Sequence, residues 1–243
     1  MSFINSYDYY LRVEAKNSSN TVSGHVRNLQ MIVSRAINQG IIPRNPFPDY
    51  VKIKRECKFQ HISGEELEKI LNTPIQSKSV CFIRDMFVFS CFTGLAYADM
   101  CNLSEKHLHK ATDGAFWISI PRQKTGVESN IRLLDIAVKI IDKYRSVRKN
   151  GLIFNMPSIN TVCCHLRKIE KTCNIKHLRY HMARHTFATL VCMTNGVPLE
   201  TISKMMGHSS MRTTQIYAEI TSQKVGEDMK ILAKRIKTKK SKK

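Results

Sequence analysis

Apolar residues recur at helical spacing through most of the chain, and one short region breaks that rhythm. Val22, Val26, Leu29, Ile32, Val33, Ala36 and Ile37 share a stripe, the 3.6-residue period of a helix with one apolar face. Asn20-Thr21 offers that helix a start and Gly40 a stop, predicting a helix over 21–39. Further helices are expected over 3–15, 96–102, 135–149, 158–172, 182–195 and 198–206, with another carrying Tyr217. Ser63 and Glu66 form a capping box ahead of ELEKIL. The run Ser79 to Cys91 is apolar enough for a buried helix, with Arg84-Asp85 near its start. At Phe116-Trp117-Ile118-Ser119-Ile120 and Ile131-Arg132-Leu133-Leu134 the spacing turns strand-like, joined across Lys124-Thr125-Gly126. The predicted fold class is therefore mainly α with a small antiparallel β-sheet.

Pro43, Pro46 and Pro48 interrupt the early helices, and the basic connector VKIKRECK follows. This puts a domain boundary near residue 58. Two helices make too small a core to stand alone, so residues 1–58 must dock or belong to a larger module. Residues 59–221 form the main domain. Residues 222–243 are a tail in which Val225, Met229, Leu232, Ala233 and Ile236 trace an amphipathic helix over 222–236, ending in KRIKTKKSKK.

Charge narrows the partner. Lys and Arg number 39 against 19 Asp and Glu, a net charge of +20. The excess is spread along the chain, with +5 in residues 1–60, +8 in 61–223 and +7 in 224–243. A broad basic surface points to a polyanion, and double-stranded DNA fits better than an acidic membrane. The eight cysteines form no C-x-x-C pair and mostly sit in apolar runs such as VFSCF, as expected of buried thiols in a reducing compartment. MSFINSYDYY lacks a signal-peptide pattern, and no apolar run approaches a membrane span. A cytoplasmic location, without membrane, is the expectation.

The chemistry concentrates between His181 and Tyr217, 37 residues that hold His181, Arg184, His185, His208 and Tyr217. Paired carboxylates and a serine nucleophile elbow are missing from this stretch. Its inventory suits a site that grips a phosphodiester and attacks it with a phenol. Such a transesterification needs a nucleophile, cations on the non-bridging oxygens, an acid for the departing 5′ oxygen and an acceptor for the phenol proton. Tyr217 supplies the nucleophile, though a phenol with a pKa of about 10 needs help. Arg184 offers planar bidentate contacts to phosphate oxygens. His181, one helical turn earlier, reaches the same phosphate as base or donor. His208 follows the Gly207 turn, and Lys124 at a hairpin tip reaches into the groove as the acid. Energy is stored in the phosphotyrosine ester, so no cofactor and no metal is expected. His177, His181 and His185 do recur every four residues, but no further ligands are spaced to complete a zinc site.

H-M-A-R-H-T-F-A-T, then M-M-G-H-S-S, then Tyr217 nine residues after His208, resembles the tyrosine recombinase (phage integrase) family. Lys124-Thr125-Gly126 is similar to the family's hairpin lysine, and Thr93-Gly94-Leu95 to its first-arginine box. F-T-G-L-A-Y-A-D-M looks closest to integrases of Bacteroides-type mobile elements. The resemblance covers roughly 59–221 as the catalytic domain, with 1–58 as a partial helical, SAM-like core-binding domain and linker. It implies a tetramer on DNA, with the tail helix exchanged between subunits. It also implies bacterial, nucleoid-associated work, where a shortened clamp calls for an accessory DNA-bending protein. One departure is Ala96, where the family usually carries arginine. Arg122, two residues before Lys124, is the leading substitute, since strand alternation would put both on one face; Arg84 is the runner-up. Asp99 matches the family's acidic residue and is expected to brace the site. His185 reads as a structural hydrogen-bonding residue, and G-V-P-L-E-T-I-S-K-M-M-G-H-S-S as a packing unit that orients His208. A site-specific recombinase is the leading function; a catalytically degenerate DNA-binding homologue and a type IB topoisomerase stay open beside it.

Overall fold

The computed structural model describes residues 3–48, 50, 60–148 and 150–217. The helix expected at 222–236, the basic tail and Cys57 lie outside the described residues. The chain separates into two compact units, Met1–Lys58 and Phe59–Lys243.

In the first unit, α1 (Phe3–Tyr9) runs directly into a π-helical turn at Tyr10–Glu14. α2 spans Ser19–Asn38. It begins two residues before the predicted start because Ser18 is the N-cap, its hydroxyl accepting from the Thr21 amide at 3.3 Å. Ile4, Leu11, Val22, Val26 and Phe47 form the small core. Ile32, assigned to the buried stripe by its spacing, is instead exposed beside Met31, because no described residue of this unit covers that side of α2.

The second unit is built round α4 (Lys78–Thr93), whose Ile83, Met86, Phe87, Phe89 and Cys91 are buried. It packs against α6 (Asp135–Lys143), α7 (Ile159–Cys173) and α8 (Tyr180–Thr186). Helices on several sides explain why its apolar residues form a continuous run and not a stripe. Each buried Phe or Met here contributes roughly 1.5–3 kcal/mol. α3 (Gly64–Asn72) starts at the predicted capping box. The Ser63 hydroxyl accepts from the Glu66 amide at 3.1 Å, and the Glu66 carboxylate accepts from the Ser63 amide at 2.9 Å. Midway along α4, buried Asp85 accepts from Lys143 Nζ at 2.5 Å, Tyr144 at 2.7 Å and Arg84 Nε at 3.1 Å. Arg84 also donates to the Thr73 carbonyl.

The sheet has three antiparallel strands in the order β1 (Leu108–Lys110), β2 (Phe116–Pro121), β3 (Glu128–Arg132). Ile118 lies opposite both Leu108 and Ile131, and the alternating residues Ile118, Ile120 and Ile131 are buried. Leu133 and Leu134 are not part of β3, since Leu134 turns the chain as the N-cap of α6.

α8 passes without a break into a π-helical segment, Phe187–Met193, followed by α9 (Leu199–Met205) and α10 (Arg212–Gln215). The predicted single helix over 182–195 is thus two geometries in series. Tyr217 is not on a helix but in the turn just after α10. Its ring completes a second, smaller core with Phe187, Ala188, Cys192, Ile202 and Met206. Cys91, Cys173 and Cys192 are buried free thiols, but the adjacent Cys163 and Cys164 are exposed on α7. Among the described residues no helix is long and apolar enough to cross a membrane.

Gly94 ends α4 in the left-handed region at φ 70°. A Cβ there would overlap the Phe187 ring, with Cε1 at 2.9 Å and Cδ1 closer still. Gly94→Ala therefore combines backbone strain with a clash between two core clusters. It should destabilise the protein by about 2–4 kcal/mol, read as a lower midpoint in urea denaturation.

Candidate active site

α8 sets the site's geometry. His181 and Arg184 lie one turn apart on it, and His185 follows His181 by four residues. Arg184 is 3% exposed. Its guanidinium donates to the Gly94 carbonyl and, at 2.5 Å, to the Met206 carbonyl. One buried cation thus ties the end of α4 to the turn that precedes His208.

The β2–β3 hairpin forms the opposite wall. β2 ends at Pro121, and the Arg122 amide donates to the Val127 carbonyl at 2.9 Å. The Arg122 carbonyl accepts from the amides of Thr125 and Gly126. Arg122 and Lys124 are therefore turn residues, and strand alternation does not relate them. Arg122 is 9% exposed, whereas Lys124 is exposed. Asp99, 2% exposed at the start of α5 (Tyr97–Cys101), braces this wall. Its Oδ1 accepts from the Gln123 amide at 3.0 Å, its Oδ2 from the Ala96 amide at 3.4 Å, and Oδ2 lies 3.5 Å from Arg122 Nε. That last contact is an ion pair without hydrogen-bond alignment, since Nε is otherwise unsatisfied. Arg122 is further pinned by Gly207, where a Cβ would come within 2.8 Å of Arg122 Cδ and 2.7 Å of Ser129 Oγ. The Thr125 hydroxyl reaches the Gly207 carbonyl at 3.2 Å.

Gly207, at φ 58°, swings the chain from α9 into His208. His208 Nδ1 lies 2.8 Å from the Thr214 hydroxyl, and its amide donates to the Ser203 carbonyl. Tyr217 is 8% exposed, and its hydroxyl lies 2.8 Å from His185 Nδ1. The His181 and His185 rings meet edge to face, centroids 4.4 Å apart.

This arrangement is short of negative charge. Burial, and then the Arg122 charge, lower the Arg184 pKa to about 10. His208 is lowered to about 4 by burial, then by Arg184, Arg122 and His185. His185 is also lowered to about 4, by burial and then by His181, Arg184 and His61. His181 is lowered by desolvation among its neighbours, then by Arg184, Arg122 and Lys124. Burial raises the Tyr217 phenol, and Arg184 and Arg122 pull it back down. Burial is the largest cause of each lowered value, and the neighbouring cations add to it, with Asp99 as a partial counterion to Arg184. A phosphate diester would relieve the strain.

The structure brings together Arg184, His181, His208, Arg122 and Tyr217, with Lys124 close enough for its charge to act on His181. It does not bring in Arg84, held in the middle of α4 by Asp85 and the Thr73 carbonyl. His177 precedes α8 and is not on its face, so the four-residue histidine stripe breaks, and among the described residues no metal-holding cluster forms. The contact between His185 and Tyr217 was not anticipated. The signal was present, because a residue four on from His181 shares its helical face.

The sequence pattern of the phage integrase family matches residues 60–224. The chain belongs to the phage integrase family. A phage integrase SAM-like domain pattern matches residues 1–55. Tyrosine recombinase XerD of Chlamydia muridarum is 26% identical over 250 residues, covering 92% of this chain and 79% of that protein. Tyrosine recombinase XerC of Listeria innocua is 22% identical over 242 residues, with the same coverage. In fold, the chain is similar to XerH site-specific recombinase bound to difH substrate, with a TM-score of 0.76 at 19% identity, covering 96% of this chain and 73% of that one. It is also similar to the Tn1549 transposon integrase in complex with circular intermediate DNA, with a TM-score of 0.71 at 21% identity and 95% and 85% coverage.

His185 and His208 have folded pKa values near 4, below the usual histidine value of 6.5. Between those values the unfolded chain binds more protons than the folded one, so stability rises with pH across that window. Denaturation midpoints should therefore fall as the pH is lowered from about 6.5 towards about 4. Proton NMR titration of the two imidazoles should show both neutral through the upper part of it.

Proposed function

We propose that this phage integrase family member is a site-specific DNA recombinase that cleaves and rejoins strands through a 3′-phosphotyrosine at Tyr217. The observation that carries this is the cation-crowded seat of Arg184, Arg122 and three depressed histidines beside one buried phenol. Tyr217 Oη bonds to phosphorus, the bond from phosphorus to the 5′ oxygen breaks, and Lys124 protonates the departing oxygen. Arg184, Arg122 and His208 hold the non-bridging oxygens. His181, neutral at physiological pH, donates to the same phosphate through its ring N–H.

Arg122 takes the role of the arginine missing at Ala96. It is buried, paired with Asp99, and its charge reaches Arg184, His181, His208 and Tyr217. Ala96 also favours a second reading, a DNA-binding homologue that no longer cuts. The wider reading is an enzyme from a Bacteroides-type mobile element, acting in the cytoplasm at the nucleoid as a homo-tetramer on double-stranded DNA. Residues 222–236 would exchange between subunits, and an accessory DNA-bending protein would complement the short N-terminal unit, 1–58. The catalytic domain is taken as 59–221 and the tail as 222–243.

Nicked suicide duplexes, with the DNA flanking the chain's own gene as source, should trap a covalent adduct with wild type and none with Tyr217→Phe. Relaxation of any supercoiled DNA would favour the topoisomerase, and no adduct the binder. Arg122→Ala should slow adduct formation by about 10²–10³; cleavage at the wild-type rate would remove Arg122 from the site.

Deleting residues 222–236 should leave DNA binding within a few-fold of wild type while abolishing synaptic complexes on native gels. Normal recombination by that deletion would refute subunit exchange.

A further inference from the structure

The proposed reaction leaves the phenol proton without a destination. We infer that His185 receives it: Nδ1 of His185, 2.8 Å from the Tyr217 hydroxyl, is the acceptor as the phenol attacks phosphorus. This rests on the recombinase reading above and gives a step to a residue to which that reading assigned none.

The geometry singles out His185 among the titratable groups that face it. His181 lies on the same helix, but its ring meets His185 edge to face rather than the phenol. Arg184 is fixed on the carbonyls of Gly94 and Met206. His208 Nδ1 is on Thr214. The charges of His61 and Arg184 disfavour the protonation of His185. Tyr217 is held in place by the core of Phe187, Ile202 and Met206, so its hydroxyl is aimed at His185 by packing.

Burial first, and then the neighbouring charges, keep His185 neutral in the resting enzyme. In the tautomer protonated at Nε2, Nδ1 accepts from the phenol. As the bond from Oη to phosphorus forms, the hydroxyl becomes strongly acidic and a weak base suffices. The negative phosphate offsets the Arg184 and Arg122 charges and raises the basicity of His185 when it is needed. The balance is complete: Oη–P forms, P–O5′ breaks, the phenol proton moves to His185 Nδ1, and a Lys124 proton goes to O5′.

The test uses two suicide duplexes, one natural and one with sulfur in place of the bridging 5′ oxygen at the scissile phosphate. A thiolate leaves without being protonated, so the sulfur substrate isolates the nucleophile's side of the reaction. His185→Asn keeps an acceptor for the phenol but cannot take its proton. It should bind DNA as wild type does and form adduct about 100-fold more slowly on both substrates. Its rate should recover as the pH is raised towards the phenol's own range. Lys124→Ala, by contrast, should be rescued by sulfur alone. Adduct formation by His185→Asn at the wild-type rate, or its rescue by sulfur, overturns the inference. If His185→Asn does not fold, the wild-type enzyme supplies the measurement. Its cleavage of the sulfur substrate should fall with the protonation of His185 followed by NMR in the DNA complex, and a rate indifferent to that protonation overturns the inference as well. Absence of any wild-type adduct on both substrates would instead sink the recombinase reading, and this inference with it.

Discussion

The buried guanidinium of Arg184 is the contact on which the second unit's functional face depends. Removing a cation from water is expensive unless strong acceptors replace the water. Here two backbone carbonyls do so, Gly94 at the end of α4 and Met206 at the end of α9. Both carbonyls are available because their helices stop there, and helix ends leave carbonyls unpaired. The left-handed turn at Gly94 and the tight turn at Gly207 are thus conditions for seating the charge. A lysine could not span the two acceptors, having one point of charge where arginine has a planar fork.

The hairpin wall is organised by the opposite sign. Asp99 fastens the Gln123 amide, the start of α5 and Arg122 into one corner. With a carboxylate behind it, Arg122 can sit in a buried position beside Arg184. The two guanidiniums still repel, and that repulsion adds to burial in lowering the Arg184 pKa. Folding has therefore assembled a positive site that the protein neutralises only in part. Binding an anion there gains what folding left unspent.

Much of the fold was legible because helix and strand periods differ and because α4, α6, α7 and the capping box at Ser63 follow local rules. The strand β1 was not, since Leu108-His109-Lys110 is three residues long and only its pairing with β2 identifies it. The π-helical segment after α8 was invisible because its apolar spacing also fits an α-helix. In the candidate site, the motif spacing singled out Arg184, His181, His208 and Tyr217, all within one stretch, and the fold brings them near one another. The strand alternation that suggested Arg122 does not hold, because Arg122 lies in the turn after Pro121. It is buried by its contacts with Asp99 and Gly207, distant in sequence, and not by alternation along β2. The neighbour of Tyr217 was likewise fixed by packing, which turns the ring towards α8.

Gly207 has a consequence for how such a chain can change over generations. Its missing side chain is the space that Arg122 Cγ and Cδ occupy. Loss of the arginine would leave position 207 untouched, but a side chain gained at 207 would evict the arginine at once. The two positions therefore constrain each other unequally, and the order in which substitutions can accumulate runs in one direction.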